Sequence, residues 1–264
     1  MVAPFFAESP ITFRRIFMEK RYVMGDIHGN ARAMIGLLEY VDPDPEELVL
    51  LGDLINRGLD SWGVIEEAAM LVDEGATIIK GNHDMTLPAF MDTINLNPID
   101  IKRTNPDLYP TYKSFKNAIR DKGQAVVQQA IETVYNAMIP YHEDEKYIFV
   151  HAGIDPRVPY MHQQKKDTLY MGCAEWKNPH NIHCYEQYVV YGHTPTYHLH
   201  RDITEEDARV WMSHKSKKIA IDTGAGFGCK LTMVDLYDGI AYAYDIVTRE
   251  ISEYRFKKGG GRIL

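Results

Sequence analysis

Residues of the types that commonly bind metal ions recur directly after short apolar runs in this sequence. Three runs in the first third end in a glycine followed by a carboxylate or carboxamide, and two later runs end in a histidine. A further histidine follows the first carboxylate by two positions. The residues concerned are Asp26, His28, Asp53, Asn82, His151 and His193. No folding requirement places metal-binding side chains there repeatedly, so the set predicts one metal site.

The chemistry of the site follows from its ligand atoms. Carboxylate, carboxamide and imidazole ligands without a thiolate suit manganese, iron or zinc, and they do not suit copper(I) or an iron–sulfur cluster. A shared carboxylate is the usual way to hold two ions roughly 3.5–4 Å apart. Asp53, from the middle unit, is the natural bridge. We therefore expect two divalent ions, manganese first, with iron and zinc as alternatives.

Each of these signals is weak when taken alone. A Gly-Asp pair after a strand is common, and a single histidine such as His151 or His193 is more often a structural polar residue than a ligand. Five strand ends in order, each with a suitable side chain, are a much more specific pattern. The set as a whole therefore carries the prediction.

The elements that must position these residues follow from hydrophobic periodicity. Strands are predicted at residues 21–24, 48–51 and 77–80, each followed by a helical pattern. The second helix is predicted to begin near Asp60 or Ser61 and to stop at Gly75. Alternating strands and helices imply parallel strands, whose carboxyl ends lie at one edge of a sheet. The polar residues should therefore converge in space.

The rest of the chain carries further strands and two excursions. Residues 97–145 read as a mostly helical excursion over one side of the site, and residues 155–186 as an irregular insertion. His198 and His200 alternate in the way that is typical of the polar face of a strand. The polar excursion is expected to break at Pro106, Pro110 and Pro140. Further strands are predicted at residues 147–150, 188–191, 219–221, 231–236 and 240–244.

Composition excludes several classes of protein. The 264 residues carry a net charge of −8, so nothing indicates a basic nucleic-acid-binding face. Three scattered cysteines favour a reducing, cytoplasmic compartment over a disulfide framework, and no apolar run is long enough to span a bilayer. We expect one domain at residues 18–256, an N-terminal arm at 1–17 and a frayed tail at 257–264.

Taken together, the motifs resemble the phosphoprotein phosphatase (PPP-type) family of calcineurin-like metallophosphoesterases, and most of all its bacterial and phage serine/threonine phosphatases. The motifs that carry the resemblance are Gly25-Asp26-Ile27-His28-Gly29, Gly52-Asp53-Leu54-Ile55-Asn56-Arg57-Gly58, Gly81-Asn82-His83-Asp84, His151-Ala152-Gly153 and Gly192-His193-Thr194. The resemblance extends beyond Ile221 and covers most of the chain. It implies an α/β sandwich of two mixed sheets flanked by helices.

The resemblance also implies a role for each motif residue. It assigns Asp26 and His28 to the first metal, Asp53 to the bridge, and Asn82, His151 and His193 to the second metal. It makes His83 the acid that protonates the leaving oxygen, and Arg57 the clamp on the phosphate. The implied reaction is attack on a phosphomonoester by a hydroxide that bridges the metals. Phosphoproteins or small phosphate esters would be the substrates, with no nucleic-acid or membrane partner.

Three positions depart from the pattern of the protein phosphatases. Asn56 replaces the aspartate that orients the histidine acid, so we expect a more acidic His83. A second phosphate-clamping arginine is missing near Cys173, and Asp84 stands where glutamate is more usual. Asn56 and Asp84 favour a rival function, symmetrical hydrolysis of diadenosine tetraphosphate, whereas His28 favours the phosphatases. A second rival is a weakly catalytic metal-binding interaction module.

Overall fold

The computed structural model describes residues 21–93, 98–155 and 185–256. The predicted arm at 1–17, the tail at 257–264 and most of the 155–186 insertion, including the segment around Cys173, lie outside the described residues. The single domain expected at 18–256 stays a prediction.

Two mixed sheets form the centre of the fold. The six-stranded sheet has the order β11-β10-β9-β1-β2-β3, and the five-stranded sheet has the order β4-β5-β6-β8-β7. The strands are β1 Tyr22–Met24, β2 Leu48–Leu50, β3 Thr77–Ile78, β4 Tyr141–Glu143, β5 Tyr147–Val150, β6 Tyr188–Tyr191, β7 Trp211–Ser213, β8 Lys218–Ala220, β9 Lys230–Asp235, β10 Ile240–Asp245 and β11 Ile251–Arg255. The predicted α/β sandwich of two mixed sheets is confirmed.

Alternating side chains build the core on both faces of each sheet. In β1, Val23 packs into the core between the sheets, while Met24 packs against the helices. In β5, Phe149 enters the same inter-sheet core, and Ile148 packs on the outer face of the second sheet. Burial on both faces explains why these strands read as continuous apolar runs.

Helices cover the outer face of the six-stranded sheet. They are α1 Ala31–Val41, α2 Ser61–Asp73, α3 Leu87–Thr93, α4 Pro98–Thr104, α5 Tyr109–Lys122 and α6 Gln124–Ala137. As predicted, α2 begins after Asp60, whose side chain accepts a hydrogen bond from the backbone N–H of Gly63 at 2.9 Å. Each helix in the described ranges is too short or too polar to cross a bilayer.

Five features differ from the sequence-based expectation. Pro110 does not break the helical excursion but lies in the first turn of α5, where a missing backbone N–H costs nothing. His198 belongs to a one-turn helix, Thr196–Leu199, rather than to a strand. The sequence patterns also missed β4, β7 and β11.

The carboxyl ends of parallel strands from both sheets lie at the site. In the first sheet β1 pairs parallel with β2, and β2 with β3. In the second sheet β5 pairs parallel with β6, and β6 with β8. The loops that follow these strands carry all the predicted metal ligands, so the site is assembled from the two sheets together.

Candidate metal centre

Asp53 lies at the middle of the site, between histidines from different loops. Its Oδ2 atom is 3.6 Å from Nε2 of His28, and its Oδ1 atom is 3.4 Å from Nε2 of His151. The three side chains are at most 2% exposed. One oxygen of the carboxylate therefore faces His28 and the other faces His151. A carboxylate that is shared between two ions requires this arrangement.

Two groups of ligand atoms share this carboxylate. Among the described residues, one group comprises His28, Asp53 and His83, and the other comprises Asp53, His151 and His193, with ligand atoms within 4.8 Å of one another. Oδ1 of Asn82 joins the second group.

The contacts of Asn82 define its place there. Its Oδ1 is 2.8 Å from Nδ1 of His193 and 3.0 Å from Nε2 of His151. The structure thus brings Asn82, His151 and His193 together, as the sequence predicts.

Asp26 belongs to neither group. Its carboxylate accepts hydrogen bonds from the backbone N–H of His193 at 2.9 and 3.1 Å, and it lies 4.0 Å from Nδ1 of His151. In this geometry Asp26 holds the loop of His193 in place. Its role as a metal ligand stays a prediction.

Backbone carbonyls fix the orientation of two histidine rings. Nδ1 of His28 donates to the carbonyl of Ile55 at 3.0 Å, and Nδ1 of His151 donates to the carbonyl of Leu51 at 2.8 Å. Because a carbonyl can only accept, each neutral ring must carry its lone pair on Nε2, the atom that faces Asp53. Metal-binding histidines are commonly oriented by such hydrogen bonds.

Buried carboxylates crowd around the histidines. Asp26, Asp53 and Asp222 are each at most 4% exposed. Burial, followed by repulsion from Asp222, raises the pKa of Asp26, and burial raises the pKa of Asp222 to about 6. Buried like charges are costly unless cations offset them. The donor set and its charge therefore fit divalent ions. The sequence assigned no role to Asp222, although it directly follows the predicted strand at residues 219–221.

The histidines divide by their electrostatic surroundings. Burial lowers the pKa of His28 to about 3 and that of His193 to about 4, so both rings are neutral near pH 7. Burial alone would lower the pKa of His151, but Asp53, Asp26 and the carbonyl of Leu51 together outweigh burial and raise the pKa to about 10. The space between His151 and Asp53 therefore attracts positive charge.

The backbone of the site is strained. Eight non-glycine residues in the described ranges have positive φ, and five belong to the predicted site. These five are His28 (48°), Asp53 (51°), Asn56 (75°), Arg57 (67°) and His193 (69°). Left-handed backbone is costly for such residues and tends to cluster at functional sites.

Arg57 lies beside the first group and contacts two of its members, His28 and His83. Nη1 of Arg57 is 3.0 Å from Nε2 of His28, so the guanidinium takes the lone pair that a metal ion would use. Nη2 of Arg57 is 3.4 Å from Nε2 of His83. Burial lowers the pKa of His83, with Arg57 adding to the effect and Asp53 opposing it.

Asn56 contacts His83. Its Nδ2 lies 2.9 Å from Nδ1 of His83, and its Oδ1 accepts a hydrogen bond from Oγ1 of Thr111 at 3.0 Å. The start of α5 therefore sets the orientation of the Asn56 amide, so the segment at residues 97–145 contacts the site at this point.

Asp84 has a role that the sequence did not reveal. Its fully buried carboxylate accepts backbone N–H groups of Asp53 (2.9 Å), Leu54 (2.9 Å) and Gly81 (3.0 Å). It thereby ties the loop after β2 to the loop after β3. No pattern in the sequence shows which backbone groups a side chain will meet.

Comparison with known proteins agrees with this geometry. A family model described as calcineurin-like phosphoesterase matches residues 20–221. A crystal structure of a candidate diadenosine tetraphosphatase superposes with a TM-score of 0.56 at 19% sequence identity, covering 89% of this chain and 92% of that chain. At this identity the likeness shows the fold alone.

Two curated relatives have the same name. The symmetrical bis(5'-nucleosyl)-tetraphosphatase of Photorhabdus laumondii is 29% identical over 178 residues, covering 66% of this chain and 57% of the relative. The enzyme of that name from Salmonella paratyphi C is 30% identical over 138 residues, covering 52% of this chain and 44% of the relative. This chain thus aligns with only about half the length of these relatives. Their name matches the rival function rather than the serine/threonine phosphatases.

Proposed function

We propose, since the chain belongs to the calcineurin-like phosphoesterase family, that it hydrolyses dinucleoside tetraphosphates symmetrically, cleaving the central anhydride to give two nucleoside diphosphates. The observation that carries metal-dependent phosphoester chemistry is the position of Asp53, with one carboxylate oxygen toward each group of histidines. The choice of substrate rests on the relatives and on two residues of the site.

One set of residues would hold divalent cations, and a second set would bind the phosphate and protonate the leaving group. Two divalent cations, held by His28, Asp53, Asn82, His151 and His193 with Asp26 beside them, would lower the pKa of a water and neutralise phosphate oxygens. Manganese is our first choice, because the donors are nitrogen and oxygen atoms.

Arg57 and His83 act on the substrate itself. The guanidinium of Arg57 offers a planar pair of donors to the phosphate, and it lies within 3.0 Å of His28 at the edge of the first group. His83 lies between Arg57 and Asn56, where its imidazole can protonate the departing oxygen.

Asn56 and Asp84 favour the dinucleotide over a phosphoprotein. A phosphate leaving group departs as a weak base, so it needs less help from a strongly basic imidazole than a serine or threonine alkoxide does. The amide of Asn56 adds no negative charge beside His83, and burial already lowers the pKa of that ring. The names of the two relatives support the same substrate.

A serine/threonine phosphatase is the second candidate. His28 favours it, because its Nε2 takes part in the first ligand group, at a position where the dinucleotide hydrolases usually have glutamine. The interaction module is the weakest alternative, since the strained backbone and the shared carboxylate suit catalysis better than passive binding.

A paired assay tests the proposal. Manganese-loaded protein would be given diadenosine tetraphosphate or a phosphothreonine peptide, with nucleotide products separated by chromatography and phosphate release measured. We expect adenosine diphosphate as the nucleotide product and a higher kcat/KM for the dinucleotide. Asp53→Asn should reduce turnover on the order of 100-fold or more. Asp73→Asn, an exposed position at the end of α2, is the matched control. Faster turnover of the peptide would contradict the choice of substrate.

A further inference from the structure

Phe227 is a large apolar side chain exposed beside the site. It is 57% exposed, and the Cζ atom of Arg57 lies 4.5 Å from the centre of its ring. One face of the ring thus packs against the guanidinium that we assign to the phosphate, and the rest is open to solvent. An exposed aromatic side chain beside the phosphate-binding arginine is a candidate contact for the substrate.

The turn that carries Phe227 is held firmly in place. It is a 3₁₀ turn, Ala225–Phe227, between Gly224 and Gly228, whose φ angles are 85° and 82°. The backbone N–H of Gly224 donates to Oδ1 of Asp222 at 2.8 Å, and Nδ2 of Asn30 donates to the carbonyl of Ala225 at 3.2 Å. The ring is therefore presented by a tethered backbone.

The same turn packs directly against the metal centre. A Cβ atom added to Gly226 would lie 2.4 Å from Cδ2 of His28 and 3.0 Å from Nη1 of Arg57. Only glycine allows this approach. The position of the Phe227 turn relative to His28 and Arg57 is consequently fixed by close contacts.

A second aromatic side chain extends the surface. The ring of His198, which is exposed, lies edge-on to Phe227 at a centroid distance of 6.4 Å and an angle of 88°. Tyr197 follows at 4.5 Å from His198. Phe227 and His198 thus form an exposed aromatic surface. Arg57 lies between this surface and His28.

We propose that Phe227 stacks on a nucleobase of the substrate while Arg57 holds the phosphate chain. This inference rests on the proposed function and adds a specificity-determining residue to it. A base is joined to the cleaved phosphate through one further phosphate and a ribose, so its binding surface must lie beside the phosphate clamp and not within it. Every base has a flat π-face, so an aromatic ring binds it without reading its sequence. A phosphoserine or phosphothreonine side chain has no such face.

The alternative is that Phe227 only positions Arg57. The two roles differ in what they do to a phosphate chain that carries no base. Inorganic tetrapolyphosphate has the same number of phosphates as the dinucleotide and no ring. Its inhibition constant as a competitor therefore reports on the phosphate clamp alone.

The test compares wild type with Phe227→Leu and Phe227→Trp in the full chain. For Phe227→Leu we expect the KM for diadenosine tetraphosphate to rise on the order of 10-fold, while the inhibition constant of tetrapolyphosphate stays nearly unchanged. Phe227→Trp, which keeps a flat ring, should retain the wild-type KM. Thermal unfolding of each variant shows that it is folded.

Two results would overturn the inference and leave the proposed function intact. If Phe227→Leu weakens the binding of the dinucleotide and of tetrapolyphosphate equally, Phe227 is a positioning residue for Arg57. An unchanged KM in Phe227→Leu would show that the base lies elsewhere. Wild-type protein that cleaves phosphopeptides but not the dinucleotide would instead overturn the proposed function, and this inference with it.

Discussion

Asn56 shows how one atom changes the chemistry available to its neighbour. Its Nδ2 points at Nδ1 of His83, and Thr111 fixes that orientation by donating to Oδ1. A donor facing the ring opposes a second proton on it, whereas the aspartate of the related phosphatases would favour one. His83 is thereby suited to leaving groups that need little proton assistance.

Replacing Asn56 by aspartate should reverse this preference. An added negative charge favours the imidazolium form and raises the pKa of His83, so the protonated acid survives to higher pH. We expect the basic limb of the kcat–pH profile of Asn56→Asp to move upward by about one pH unit. The profile is measured beside that of Asp73→Asn. A basic limb at the wild-type position would count against His83 as the acid that Asn56 tunes.

At the scale of the elements, the loops after β2 and β3 act as one unit through Asp84. Three backbone N–H groups point to this carboxylate, and two of them belong to Asp53 and to the glycine before Asn82. Two loops that carry candidate metal ligands are thus fixed relative to each other.

Removal of this carboxylate should cost much of the stability of the chain. Asp84→Ala leaves three buried N–H groups unpaired, at about 1–3 kcal/mol each, so we expect a loss of roughly 3 kcal/mol or more. Asp84→Asn, which keeps one acceptor oxygen, should lose less. Urea unfolding in the presence of a chelator measures both without interference from metal binding. Asp73→Ala is the control, and a loss for Asp84→Ala no larger than that of the control would refute the role.

Central strands were predictable from sequence, whereas three of the four edge strands in the described ranges were not; the edge strand β3 was predicted. Tyr147–Val150 and Tyr188–Tyr191 match the prediction residue for residue, because strands buried on both faces are continuous apolar runs. The missed strands β4, β7 and β11 each lie at the edge of a sheet. An edge strand has one neighbour and a partly exposed face, so its sequence carries a weaker signal.

The site shows the same division between what can and cannot be predicted. Candidate metal ligands such as Asp53 and His151 closely follow strands, so the topology of the sheets brings them together. Asp84 and Phe227 matter through contacts with backbone groups and with a neighbouring guanidinium. Those contacts depend on loop conformations that include left-handed residues, which no periodic pattern encodes.

At the scale of the molecule, the site exists only where the two sheets meet. Asp53 and Asn82 follow strands of the first sheet, and His151 and His193 follow strands of the second. The inter-sheet core, with Phe149 fully buried, holds these two sets of loops together. The clustering of charged and polar side chains at the site therefore depends on the packing of the two sheets against each other.

A centre of two ions at this site requires that both ions share the carboxylate of Asp53. Anomalous diffraction from manganese-loaded crystals tests it most directly, with Asp53→Asn examined under the same conditions. We predict two manganese peaks per chain, roughly 3.5–4 Å apart, one against each oxygen of Asp53, and loss of at least one peak in the variant. A single peak in the wild-type protein, or two peaks that Asp53 does not touch, would rule out a carboxylate of Asp53 shared between two ions.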